Sequence, residues 1–332
     1  MINTICSKKL DNNVTKGIDH IIQKCGKINT NDKVLILYDK KTQSLANLFE
    51  LRCSKISKKV ISLLVKNITR HGQEPDIEIA NEMLHSSVIL SLCSWSLAHT
   101  NARIKAGISG ARFLSLPEYS IDFIKNPAIL CDYESLAPSC LKVADLLTAA
   151  SLVEIKSDIG TDLVLNIKNR TGNYCPGFVE KPGELGSPPD IEANISPQEK
   201  LSQGKVFIDG SITCEGIGLL KETVSININD GRIKDIDCKN KVITNKLNEI
   251  MGDKNSKRRV LAEFGIGLNP LAKLTGIMLT DEGALGTIHL GFGSNSTVGG
   301  ANEVDFHLDF VIKNPTVILD KNIILEKGNL II

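Results

Sequence analysis

The chain has 332 residues, 42% of them hydrophobic and 4% aromatic, with a formal net charge of +1. That balance excludes the basic, aromatic-rich surface of a nucleic-acid binder and offers nothing to an anionic membrane. The length suggests two domains with a large core, and no apolar run approaches the ~18 residues of a membrane span.

At the N-terminus, Lys8 and Lys9 are followed by no apolar segment, so Met1 to Lys9 does not read as a signal peptide. The nine cysteines are odd in number and form no Cys-x-x-Cys. They are expected to be reduced thiols of a cytoplasmic protein, mostly in cores. Val14 to Cys25 has the apolar spacing of an amphipathic helix, with Asn13 as a possible cap. Lys33 to Tyr38 is a short apolar run of the kind found in buried parallel strands. Helix is expected over Ser44 to Leu51, Pro75 to Leu84, Ala102 to Ile108 and Pro138 to Ala150. Strands are expected at Val60 to Val65, Ser87 to Leu92 and Ala111 to Leu116. This alternation indicates a Rossmann-like parallel sheet over residues 1–150. The turn after the first strand, Asp39-Lys40-Lys41-Thr42, has no glycine to admit a pyrophosphate, which argues against a dinucleotide site. His99 and Arg103 follow a strand end, where ligands bind in open α/β sheets. The competing reading is an ordinary helix N-terminus with polar caps.

From Ser151 the texture changes. Val153 to Lys156 and Asp162 to Lys168 alternate as antiparallel strands. Gly172 to Pro197 holds five prolines, so it is neither one helix nor one central strand, and a loop of that length is usually functional. Lys205 to Asp209 resumes as strand, Asp230-Gly231 signals a hairpin, and Asn245 to Met251 is a short helix. Residues 151–332 therefore read as a second, β-rich α+β domain.

The last third carries the chemistry. His307 and Asp309 lie two apart in the β-prone run Val304 to Phe310, so both project from one face of a strand. Side by side they can chelate one cation, with Phe306, Leu308 and Phe310 turned the other way. His289 sits in a second such run, Thr287 to Phe292. Glu263 precedes Gly265-Ile266-Gly267, which locally reads as a tight turn with a solvated carboxylate and lacks the Lys-Ser/Thr of a phosphate loop.

Taken in order, Thr161-Asp162-Leu163, Pro182-Gly183-Glu184, Gly218 to Glu222, Ala262 to Pro270, Gly286-Thr287-Ile288-His289 and His307-Leu308-Asp309 resemble the aminopeptidase T and aminopeptidase S family of metallopeptidases. The resemblance implies an N-terminal α/β domain, a β-rich metal-binding domain and a homodimer. It implies metal ligation by Glu263, His289, His307 and Asp309, and by Glu192 as the carboxylate of the Pro/Gly loop, with Glu192 and Glu263 also catalytic. It further implies two divalent ions (Zn, Co or Mn), ~3.5–4 Å apart, that activate a water to release N-terminal residues from small peptides. The resembled peptidases carry a tyrosine shortly after the first histidine. Here Phe292 to Gly300 contains none, and Ser294, Asn295 and Ser296 are the available substitutes. The alternative is a ring-opening dioxygenase of the 2,5-dihydroxypyridine type, similar in scaffold and sharing the His-x-Asp pair, with one Fe(II) held by two histidines and a carboxylate and a small-molecule substrate. A third reading is a scaffold protein that keeps the fold without turnover.

Overall fold

The computed structural model describes residues 11–332. Cys6 and the expected absence of a signal segment lie outside them. By contact density the chain forms two compact units. The first runs up to Leu130 and takes in Phe178–Pro188; the second comprises Cys131–Gly177 with Pro189–Ile332. No described helix is long and apolar enough to cross a membrane.

The first unit is built on a parallel sheet. Strands β1 (Lys33–Tyr38), β2 (Lys59–Leu64), β3 (Val88–Ser91) and β4 (Arg112–Ser115) alternate with helices α1 (Asn12–His20), α2 (Gln43–Cys53), α3 (Ile77–Leu84) and α4 (Asn101–Ile108). The two-residue strand β8 (Leu185–Gly186), from later in the chain, completes the order β2-β1-β3-β4-β8. The interior residues of β1 and all of β3 and β4 are buried, as their continuous apolar runs require. The turn after β1 is closed by its own carboxylate. Asp39 accepts hydrogen bonds from the backbone amides of Lys41 (2.8 Å), Thr42 (3.2 Å) and Ser94 (2.6 Å). Amides that would greet a pyrophosphate are thus already taken. The start of α4 is likewise occupied: Glu74 accepts from the amides of Asn101 and Ala102, Thr100 caps Arg103, and Arg103 Nε donates to the Ala98 carbonyl at 2.6 Å. This is the polar-cap arrangement.

The second unit opens with helix α5 (Tyr133–Ala149), capped by Asp132. The sequence placed Pro138 in the first turn of a helix beginning there; instead it lies inside a helix that begins earlier, because Asp132 supplies the cap. Residue 150, the expected domain boundary, closes this helix. Buried Cys140, Val143, Ala144 and Leu147 line α5, which packs on strand β9 (Glu192–Ile195).

Two antiparallel sheets follow. The eight-stranded one contains β5 (Leu152–Lys156), β6 (Asp162–Asn166), β10 (Gln203–Ile208), β13 (Val224–Asn229), β14 (Arg232–Asp237), β18 (Thr316–Leu319), β19 (Asn322–Glu326) and β20 (Asn329–Leu330). Its order is β14-β13-β10-β6-β5-β18-β19-β20. The β13–β14 turn has positive φ at Asp230 (53°) and Gly231 (64°), as the Asp-Gly signal predicts. Helix α6 (Lys241–Met251) packs on β14. The seven-stranded sheet contains β7 (Asn173–Cys175), β9, β11 (Ser211–Ile212), β12 (Gly218–Leu219), β15 (Leu261–Gly267), β16 (Thr287–Gly293) and β17 (His307–Lys313), ordered β12-β11-β17-β16-β15-β9-β7. Two sequence readings are corrected here. The Pro/Gly stretch 172–197 does hold an interior strand, β9, which fits because Pro188, Pro189 and Pro197 flank it without interrupting it. The Gly265-Ile266-Gly267 segment is the buried end of a central strand rather than a turn.

Candidate metal centre

One face of the seven-stranded sheet gathers all five residues singled out above. Glu192 comes from β9, Glu263 from β15, His289 from β16, and His307 with Asp309 from β17. The register explains how five large polar side chains fit on adjacent strands. Gly267 stands opposite Glu192, Gly265 opposite His289, Gly291 opposite both Glu263 and Asp309, and Gly293 opposite His307. Every candidate thus faces a glycine across the ladder. The space is already used: a methyl group on Gly265 would collide with the His289 ring. One on Gly291 would lie 2.6 Å from His307 Nε2 and 2.9 Å from Asp309 Oδ1. The glycines read as a turn in the sequence are therefore clearance for imidazole and carboxylate.

The Nε2 atoms of the two histidines converge on one carboxylate. His289 Nε2 lies 3.7 Å from Glu263 Oε1, and His307 Nε2 lies 3.4 Å from Glu263 Oε2. His289 Nε2 is also 3.1 Å from Glu192 Oε2, and His307 Nε2 is 3.2 Å from Asp309 Oδ1. Glu192, Glu263 and His289 offer donor atoms that all lie within 4.8 Å of one another. Glu263, expected to be solvated, is 7% exposed. His307 is the outer member, with a third of its side chain (33%) reaching solvent. Its Nδ1 faces the Ser294 carbonyl at 2.9 Å. In the tautomer where Nδ1–H donates to that oxygen, the Nε2 lone pair is left for a cation.

The electrostatics are those of a crowded anionic pocket. Burial alone would lower His289, but Glu192, Glu263 and Asp309 raise it to about 10. Burial also opposes the charged form of His307, and Asp309 and Glu263 raise that group to about 10 as well. Burial lifts Glu192 to about 7, against the pull of His289. Asp309 is held well below the carboxylate range: His307 overcomes the effect of burial.

Three further residues belong to this environment. Asn194, on the same face of β9, donates to Glu192 Oε1 at 2.6 Å and accepts from Asn173 at 2.7 Å. The i, i+2 rule that paired His307 with Asp309 also points to it. Asp190 and Glu282 are buried carboxyl groups that burial and neighbouring carboxylates hold well above their usual range. Asp190 sits in the proline loop and Glu282 just after the one-turn helix α7 (Met278–Asp281), where no periodicity marks either one. Of the candidate substitutes for tyrosine, Asn295 is buried and fully engaged away from the histidines, and Ser294 contributes its backbone carbonyl.

The donor set fits a divalent cation. His289 Nδ1, Asp190 Oδ1 and Glu282 Oε1 are buried with no hydrogen-bond partner, and Glu192 Oε2 has only the His289 imidazole, in ion-pair contact at 3.1 Å. Buried carboxylates without a counter-charge are costly, and imidazole with carboxylate suits Fe(II), Zn, Co or Mn.

A family model described as "NicX: 2,5-dihydroxypyridine 5,6-dioxygenase" matches residues 14–332. No curated protein matches the chain. Among solved structures, a 2,5-dihydroxypyridine dioxygenase from Pseudomonas putida KT2440 superposes with a TM-score of 0.80 at 17% identity, covering 96% of each chain. AmpT from Thermus thermophilus superposes with a TM-score of 0.69 at 12% identity, covering 97% of this chain and 99% of its own. At such identities the two structures establish the fold: a parallel sheet combined with antiparallel sheets. The aminopeptidase reading of the sequence is overturned by the family match over nearly the whole chain. What the ordered motifs shared with the peptidases is a distant scaffold.

Proposed function

The chain belongs to the 2,5-dihydroxypyridine 5,6-dioxygenase family, and from that membership we propose that it is a ferrous-iron oxygenase that opens a small dihydroxylated heteroaromatic ring. The observation that carries the reading is the convergence of His289 Nε2 and His307 Nε2 on the Glu263 carboxylate. Two imidazoles and one carboxylate on one face are the donor set of mononuclear non-haem iron oxygenases. His289 and His307 would hold the ion together with Glu263 or Asp309. A ferrous ion bound there supplies the one-electron chemistry that lets dioxygen react with an electron-rich ring.

The remaining residues bind, orient and exclude water. Glu192 is fixed through Oε1 by Asn194, and its Oε2, 3.1 Å from His289 Nε2, would be an acceptor for a ring hydroxyl when that nitrogen's lone pair holds the ion. Its orientation is inherited from Asn173 through Asn194, so the acceptor is set before substrate arrives. Leu308 and Phe310 turn away from this face into the core and keep β17 rigid beneath His307 and Asp309. Ser294 holds the His307 ring through Nδ1, while Asp309 Oδ1, 3.2 Å from Nε2, stands beside the atom that would face the ion.

The test is anaerobic loading with Fe(II), followed by addition of 2,5-dihydroxypyridine and air-saturated buffer. The expected result is loss of the ring's ultraviolet absorption with about one O2 consumed per ring, the stoichiometry of a dioxygenase. His307→Ala should retain the fold and lose this oxygen uptake. Iron-loaded protein that consumes no oxygen with any dihydroxylated pyridine or benzene would sink the proposal.

A further inference from the structure

The residue that orients His307 from outside is itself held by a buried polar network. The segment from Ser294 to Phe306 leaves β16 after His289 and returns to β17 at His307. It therefore joins the two histidines covalently. Its fixed point is Asn295, which is fully buried. Asn295 Nδ2 donates to Ser196 Oγ at 2.9 Å and to Glu199 Oε1 at 2.8 Å, while its Oδ1 accepts from the Asn302 amide at 2.7 Å. All three hydrogen-bonding positions named here are used inside the protein. Gly300 closes over the side chain so tightly that a methyl group there would collide with the Asn295 amide.

Glu199 carries the connection outward. It also accepts from the Ala301 amide at 2.8 Å and pairs with Arg170 at 2.6 Å. Arg170 in turn donates to the Gly299 carbonyl. Asn302 ties the far side of the loop to the strand end, donating to the Gly293 carbonyl at 2.6 Å and the Lys257 carbonyl at 2.9 Å. Both ends of the loop are thus clamped, and Ser294, the residue beside Asn295, presents its carbonyl to His307 Nδ1.

His307 needs this more than His289 does. The His289 ring is 1% exposed and walled by the backbone at Gly265, with Glu192 3.1 Å from its Nε2, so burial holds it in place. A third of the His307 side chain meets solvent, and its ring is positioned by two hydrogen-bonding partners, Asp309 and the Ser294 carbonyl.

We propose that Asn295, locked by Glu199 and Ser196, is a positioning residue that fixes the Ser294 carbonyl and through it the metal-facing orientation of His307. The inference rests on the reading of His307 as a metal ligand. Asn295→Asp keeps the size and the acceptor for Asn302 but sets a carboxylate against Glu199. Adding Glu199→Gln restores an amide donor opposite it.

Cobalt(II) is the probe, with its visible d–d bands reporting geometry and a titration reporting affinity on the intact protein. Asn295→Asp should weaken Co(II) binding by about 10–100-fold and alter the bands, as loss of an outer partner of a metal-bound histidine does. The double variant should recover most of the affinity and the wild-type bands. Thermal unfolding is followed in parallel. A lower melting temperature with unchanged affinity and bands would overturn the proposal, because it would make Asn295 a structural residue only. So would a double variant no better than the single one. Wild-type protein that binds no Co(II), or that binds it equally well after His307→Ala, would overturn the metal-centre reading together with this inference. Weakened binding in His307→Ala alongside a wild-type response in Asn295→Asp would overturn this inference alone.

Discussion

The two antiparallel sheets of the second unit are built by the same backbone rules and put to different use. In the eight-stranded sheet, a strand such as β13 alternates buried valine and isoleucine with more exposed serine and asparagine, so one face packs and the other is wet. In the seven-stranded sheet, β15 and β16 are buried along their whole length, yet their inward-facing residues on one side are Glu263, His289 and glycines. A face that is both buried and ionisable cannot be explained by core formation. Its carboxylates and imidazoles are close and dry, so their charges must be balanced within the pocket, and the glycines opposite them remove the side chains that would otherwise fill the space.

The largest expected effect comes from filling that space. Gly265→Ala would drive a methyl group into the His289 ring, which is buried and has no room to swing away. Overpacking of this kind costs about 1–3 kcal/mol, and the displaced Nε2 should no longer reach the cation. Metal analysis of the purified variant should find the centre empty, with a lowered melting temperature. A variant that retains its metal in full would show that the glycines are not clearance for the ligands, and the contrast between the sheets would lose its cause.

This pairing of glycine with ligand also marks the limit of what the sequence discloses. Continuous apolar runs gave away β1 and β3, alternation gave away β5 and β6, and Asp230-Gly231 announced its hairpin, because each is a local signal. His307 and Asp309 were legible for the same reason: a strand puts i and i+2 on one face. Gly265 and Gly267 misled, since a glycine pair looks like a turn until the strand beside it is known, and that strand lies well downstream. Glu263 consequently looked solvated. Asp190 and Glu282 follow no period and became visible only when the fold buried them beside the ligands. The activity was obscured differently. Histidines and carboxylates serve peptidases and oxygenases alike, so ligand identity could not separate them, and the missing tyrosine in Phe292 to Gly300 was the one local sign against a peptidase.

A smaller but still large effect concerns pH. Without metal, the neighbouring carboxylates keep His289 and His307 protonated up to about 10. A cation must displace those protons, so its affinity should rise with pH through the neutral range, by up to about tenfold per unit for each proton released. The linkage to folding of the metal-free protein runs the other way. A raised histidine stabilises the fold fully below its unfolded value of 6.5, and that contribution is lost as the pH climbs through about 10. Calorimetric titration with Co(II) in buffers of different ionisation enthalpy measures the protons directly. Binding with no proton release would mean that the two imidazoles are not the ligands.

The smallest effect sets the two sheets side by side with one type of substitution. Asn194 on β9 is 4% exposed and donates to Glu192 Oε1. Asn194→Ala leaves that carboxylate oxygen buried without its donor, which should cost about 1–3 kcal/mol and loosen Glu192. Asn227 occupies an outward position on β13, where its side chain meets water. Asn227→Ala should change stability by no more than about 0.5 kcal/mol in either direction. Urea denaturation of both variants compares them under one condition, and the slope against denaturant verifies that each still unfolds as the parent does. Equal losses would mean that the polar face of the seven-stranded sheet is no more demanding than an ordinary wet face. A loss confined to Asn194→Ala would locate the cost where the buried carboxylate is, because only there does removing the amide leave a buried oxygen without its donor.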